Sequence, residues 1–251
     1  MDIIATYADA VAKGCMIQNG CVGRTRIGNP VGHCCRAKGG SMTISVEGVQ
    51  VGQVAPLGSK AVPSGYVKRP VVGTVSVSSL GLSGDEQADH SVHGGPEKAV
   101  YGYSASHYPA WRAEFPERSE LFVAGGMGEN LTIAGLDESG LCVGDVHQIG
   151  SVTLQVCQPR QPCFKLVAYF GDPRMARAMV RSGRSGWYYR VLEGGELRVG
   201  ADVVLVHRPQ QFSFARLVAI VNGSAATQAE AAALAEMPEL ASTLRRSVQL
   251  G

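Results

Sequence analysis

The first clear alternation of apolar and polar side chains begins after Met42, in the run TISVEGVQVGQV. A period of two over such a length predicts a half-buried strand, Ile44–Val54. Similar short runs, punctuated by glycine and other turn residues, predict strands at Val71–Ser78, Leu121–Val123, Asn130–Ile133, Val146–Ile149, Val152–Cys157, Trp187–Leu192, Glu196–Val199 and Val203–His207. The segments LCVGDV and LRVGADV each set glycine and aspartate between valines, a hairpin-type signal. Two helices interrupt. In Ser104–Phe115 the residues Tyr108, Trp111 and Phe115 share one face at i, i+3 and i+7. The second starts at Asp172, with Pro173 at its first position, and runs to Gly183.

The character changes after residue 208. Ser213 can cap FARLVAIVNG, Thr227 and Glu230 form a capping box, and Pro238 suits the first turn of ELASTLRRSV. Three short helices are too small for a large core of their own. The pattern therefore divides the chain into an extension (1–41), a β domain (42–208) and a three-helix unit (209–251). The fold class expected is mainly β with a few helices.

Composition sharpens this division. Glycine accounts for 32 of 251 residues, roughly twice the average share, which fits many tight turns. Residues 1–41 hold seven of these glycines, four of the seven cysteines and no sustained periodicity. The natural chain is expected to start at Met42, with 1–41 as an upstream extension. A zinc site built from Cys15, Cys21, His33, Cys34 and Cys35 is the rival, but its spacings do not match paired C-x2-4-C modules. Net charge is +2, too balanced for a nucleic-acid binder with a basic face. No run approaches the 18 apolar residues of a membrane span, and the N-terminus is a poor signal peptide. A reduced, cytoplasmic protein is expected.

Three segments could carry chemistry. In RQPCFKL, Cys163 lies between Arg160 and Lys165, and neighbouring cations favour the nucleophilic, metal-binding thiolate. Two prolines restrain this loop. The competing reading is a small buried hydrophobe at a strand end, the commoner fate of a lone cysteine. In GDEQADHSVHGGPEKAVY, His90 and His93 could be metal ligands or acid–base groups, and Gly94 and Gly95 allow close backbone approach to an anion. A solvated loop is the alternative there. In GGMGENLTI, glycines lead into a strand past Glu129 and Asn130, without the Gly-Lys-Ser/Thr of a P-loop.

These three segments, in this order and with LCVGDV after the third, resemble the MOSC family (molybdenum cofactor sulfurase C-terminal domain), in its YiiM-like branch. The likeness covers roughly residues 50–208, and the terminal helices resemble the three-helix domain that follows MOSC in that branch. It implies a β-barrel-like fold binding a molybdenum cofactor (molybdopterin), with Cys163 as the molybdenum ligand, which reverses the bland reading of that cysteine. It also implies Asn130 and Lys165 near the metal as catalytic residues, with Arg160, His93, Gly94 and Gly95 holding the cofactor. Members similar to this branch reduce N-hydroxylated compounds such as hydroxylaminopurine-type bases to amines, detoxifying them. A soft thiolate suits such a metal, and Lys165, His93 or a water could supply the proton. No flavin, haem or iron–sulfur signature is visible, so electrons are expected from a separate reductase. The alternative is a cofactor carrier or sulfur-transfer protein using Cys163. Packing on the β domain, docking of the reductase and homodimerisation all stay open for the terminal unit.

Overall fold

The structure is a computed structural model that describes residues 43–89 and 93–249. The readings that concern 1–41, and His90, lie outside the described residues. In chain order the strands are β1 (Ser45–Val51), β2 (Ala55–Leu57), β3 (Val62–Ser64), β4 (Arg69–Pro70), β5 (Thr74–Ser78), β6 (Gly81–Leu82), β7 (Val100–Ser104), β8 (Leu131–Ala134), β9 (Val146–Ile149), β10 (Val152–Pro159), β11 (Trp187–Glu193), β12 (Gly195–Arg198) and β13 (Val203–His207). The helices are α1 (His107–Glu114), α2 (Phe164–Phe170), α3 (Arg174–Ser182), α4 (Phe214–Val221), α5 (Gln228–Ala235) and α6 (Ser242–Gln249).

Eight strands form one sheet in the order β13-β9-β10-β11-β7-β8-β1-β4. All neighbours run antiparallel except β7 and β8, which the crossover through α1 makes parallel. The sheet is mainly β as expected and stops short of a closed barrel. It curls nonetheless: Ser45 bridges Asp202, and Val203 N–H donates to the Ile44 carbonyl at 2.8 Å. Strands β5, β6 and β12 make a smaller sheet, and β2 and β3 a hairpin.

The predicted Val146–Ile149 and Val152–Cys157 form a hairpin around Gly150, which takes φ +61. The VGD and VGAD turns behave differently. Gly144 and Gly200 both have positive φ, but the elements flanking each turn pair with other strands. Leu121–Val123 is no strand. Phe122 is fully buried, stacked 6.0 Å from Trp111 and 4.7 Å from Phe170, and this aromatic packing takes the segment into a turn. Conversely Val100–Ser104 is a strand buried at all five positions, so it carries no alternation.

Two cores result. One joins Val49, Ile149, Leu154 and Val156 to Phe214, Leu217, Leu234 and Leu240, so the terminal helices bury their apolar faces against the sheet. The other is aromatic, with Tyr66, Tyr101, Tyr103, Trp111, Phe122 and Phe170 at its centre. Ser213 accepts from Arg216 N–H and the Thr227–Glu230 capping box is formed. The last helix begins at Ser242, later than Pro238. Ala241 N–H is drawn to the Cys157 carbonyl at 3.0 Å, and Ser242 N–H meets the Glu97 carboxylate at 2.9 Å, which sets the helix start there.

His147 on β9 is buried, with Nδ1 2.8 Å from the Tyr189 hydroxyl. Burial pushes its pKa down to about 4; Asp145 opposes this and Arg208 adds to it. Between pH 6.5 and 4 the unfolded chain therefore takes up a proton that the folded chain refuses. Stability should be full above pH 6.5 and fall by up to about 3 kcal/mol as pH drops towards 4. His147→Gln should flatten that fall, read from urea midpoints at pH 7.5 and 4.5. An unchanged slope would show that His147 is not the group responsible.

Candidate functional site

One cleft gathers most of the residues singled out by sequence. Cys163, Lys165, Arg160, Asn130, His93 and Gly94 all line it; Gly95 does not. Gly95 instead takes φ +80 at the start of the 3-10 turn Pro96–Lys98, which presents Lys98 to the cleft.

Cys163 is the N-cap of α2, an extended residue whose side chain makes no capping hydrogen bond. It is half-buried, whereas Cys142 and Cys157 are fully buried, and burial pushes the Cys157 thiol up to about 12. Helix α2, which the periodicity did not reveal, puts Lys165 two residues beyond the thiol in its first turn.

Arg160 follows the last residue of β10 and is 7% exposed. Its Nη1 donates to the Met127 carbonyl, and its guanidinium lies over the rings of Tyr101 (4.9 Å) and Tyr66 (5.4 Å). Among the described residues no carboxylate pairs with it. A buried cation held by rings and a carbonyl keeps its charge available to an anion. Burial raises the pKa of Tyr66 and Tyr101; Arg160 opposes this without overcoming it, so both phenols stay protonated.

The loop that supplies Met127 is organised by Glu129, which is fully buried. Its carboxylate accepts from Gly125 N–H (2.7 Å), Met127 N–H (3.1 Å), Thr132 Oγ1 (2.8 Å) and the Tyr108 hydroxyl. Asn130 is a brace: its Nδ2 donates to the Gln50 carbonyl at 3.2 Å and its Oδ1 accepts Tyr101 N–H at 3.1 Å. The amide thus ties β1 to β7 beside the cleft.

The far wall was not foreseen. Lys68 and Asp85 form a buried ion pair, and Asp85 also accepts Gly52 N–H at 2.7 Å and Gln87 Nε2 at 3.1 Å. Gly65 lets this wall approach: a Cβ there would lie 1.9 Å from the Glu86 carbonyl oxygen. Asp85 and Lys98 belong to the histidine-bearing segment and could have been read from it. Tyr66 and Lys68 lie in a stretch with no distinguishing pattern.

Lysines and arginine dominate the field. His93 is half-buried, and its pKa falls to about 4 through burial first, then Lys165, Arg160 and Lys98, with Asp89 opposing. Its imidazole is neutral at physiological pH. No group of three or more His, Cys, Asp or Glu side chains able to hold a metal occurs among the described residues. A metal here would have Cys163 as protein ligand and would have to bring the rest of its ligands with it. No helix among the described residues is long and apolar enough to cross a membrane.

Comparison with known proteins agrees with this picture. The MOSC domain profile matches residues 89–204. Protein YiiM of Escherichia coli is 42% identical over 158 residues, which cover 63% of this chain and 70% of that one. A Gibberella moniliformis protein named Reductase is 42% identical over 149 residues, covering 59% of this chain but only 26% of that protein. The crystal structure of YiiM from Geobacillus stearothermophilus superposes with TM-score 0.70 at 31% identity, over 82% of this chain and 98% of that one. Sequence, fold and the order of the cleft-lining segments place the chain in the MOSC domain family, in its YiiM-like branch.

Proposed function

We propose that the cleft binds a molybdenum cofactor through Cys163 and that the protein reduces N-hydroxylated compounds, of the hydroxylaminopurine type, to amines. The observation that supports this most is one half-buried thiol in a cleft whose cations, Arg160, Lys98 and Lys165, outnumber its carboxylates near the thiol. MOSC domains are associated with molybdenum-cofactor binding in general. The residues fit such a group. A soft thiolate suits the metal, a lone protein ligand suits a metal that arrives in its own sulfur shell, and a buried guanidinium without a carboxylate suits an anionic pterin phosphate. The cleft holds about 80 Å³ and opens to solvent, so a ligand larger than its interior can extend outward.

When bound, the cofactor would supply the two electrons for cleaving the N–O bond. The overall change is R–NHOH plus two electrons and two protons to R–NH2 plus water. The chain would orient and protonate. Lys165 Nζ is the better proton donor to the leaving oxygen, because neutral His93 has no proton of suitable acidity to give. His93 is suited to accept or donate a hydrogen bond instead. Tyr66 and Tyr101, under the Arg160 guanidinium, and half-buried Tyr188 make that wall of the cleft aromatic.

The test is to load the full chain with cofactor in a competent host, verify metal and pterin content, and supply a chemical electron donor with 6-hydroxylaminopurine. Amine formation that scales with metal content is expected. A fully loaded protein forming no amine overturns the reductase reading. If it also delivers its cofactor to an empty acceptor enzyme, the carrier reading takes its place.

A further inference from the structure

Glu97 does not line the cleft, yet it joins three parts of the molecule. Its carboxylate accepts Ser242 N–H at 2.9 and 3.0 Å and the Ser242 hydroxyl at 2.9 Å, and it pairs with Arg190 at 2.9 Å. A negative charge is favoured at the start of α6, where an N–H would otherwise lack a partner. Burial raises this carboxyl, but Ser242 and Arg190 outweigh it and hold the group below the usual carboxylate range. The backbone carbonyl of Glu97 accepts from Cys157 Sγ at 3.1 Å and Gln158 Nε2 at 2.8 Å. Ala241 N–H donates to the Cys157 carbonyl at 3.0 Å. One short turn therefore grips the start of the last helix, 145 residues away, and the end of β10 that delivers Arg160. The next residue, Lys98, is part of the cleft wall, close enough to Cys163 for their charges to interact.

We propose that Glu97 is a positioning residue: through it the terminal helical unit acts as a brace that fixes Lys98 to receive the anionic part of the cleft's ligand. This deepens the cofactor reading, on which its biological meaning rests, but the brace can be tested without cofactor. Ser242, Arg190, Cys157 and Gln158 converge on this one residue, next to a cleft-lining lysine.

Inorganic phosphate is the probe, titrated by calorimetry into the unloaded full chain. Glu97→Ala should weaken phosphate binding about fivefold, close to the effect of one misplaced charge-assisted hydrogen bond. Lys98→Met should weaken it at least as much. The double variant should bind no more weakly than Lys98→Met alone, because the first effect acts through the second residue. Glu97→Gln, which keeps an acceptor for Ser242, should recover part of the loss, and Ser242→Ala should cost about twofold. If Glu97→Ala does not fold, the cycle is run with Glu97→Gln and Ser242→Ala. Equal weakening with and without Lys98 would mean general loosening and overturn the proposal. So would an unchanged affinity, or no phosphate binding by the parent chain. A positive cycle beside a failed reduction assay would sink the reaction and leave the brace standing.

Discussion

Cys163→Ser should empty the protein of metal without unfolding it. The thiol is half-buried and makes no capping hydrogen bond, so its exchange for a hydroxyl should change unfolding free energy by no more than about 0.5 kcal/mol. Its chemical effect should be far larger. Serine offers a hard oxygen that is not ionised near neutral pH, in place of the soft sulfur that such a metal prefers. Reduction of a hydroxylamine substrate should fall on the order of 10³-fold or more if, as proposed, Cys163 is the protein group that holds the cofactor's metal. Metal content per chain, thermal midpoint and turnover need to be measured on the same preparation. Turnover within a few-fold of the parent, at unchanged metal content, would remove Cys163 from the mechanism. Cys157→Ser is the natural comparison: that thiol is buried against backbone carbonyls, and its loss should leave metal content intact.

Glu129→Ala should be the most damaging single change to stability. The carboxylate is fully buried and receives four donors from Gly125, Met127, Thr132 and Tyr108. Removing it leaves two backbone N–H groups and two hydroxyls without that acceptor, each costing about 1–3 kcal/mol before the loop relaxes. A net loss of about 4 kcal/mol is expected, read as a lowered urea midpoint at unchanged slope. The damage should also spread to the cleft. Met127 donates its N–H to Glu129 and receives Arg160 on its carbonyl, so the variant should bind anions more weakly even where it remains folded. Glu129→Gln is expected to fall between, because its amide nitrogen can accept none of the four donors. A loss below about 1 kcal/mol for Glu129→Ala would mean that the loop finds other acceptors and that Glu129 does not organise it.

The site was legible where local chain chemistry decides it, and opaque where distant packing does. The thiol between cations and prolines drew notice to the Cys163 segment, but those residues alone favoured a plain buried cysteine; the family resemblance reversed that reading, and the structure sets the thiol in a cleft. The capping box at Thr227 and the hairpin around Gly150 are short-range features, and both formed. Strand β7 was missed because all five of its residues are buried, so neither face shows a polar signature. Arg160 looked like one cation among several. Among the described residues no carboxylate pairs with it, and its place over Tyr66 and Tyr101 depends on residues 94 and 59 positions earlier. The same distance concealed Lys68. Asn130 was legible as a residue of interest, but its use as a tie between β1 and β7 needed both strands in place. Spacing also could not show that Glu97, beside a histidine–glycine motif, serves the last helix.

The bridge between Ser45 and Asp202 bears on how the molecule assembles. It curls the sheet by uniting positions 157 residues apart in sequence (45 to 202). Contacts so far apart in sequence must meet the entropy of closing a long loop before they return any binding energy. During synthesis the sheet could not be fastened until the 200–203 segment had left the ribosome, and the first residues of β1, beyond those that β4 covers, would wait without that partner. Slow, late-closing refolding follows from this connectivity alone.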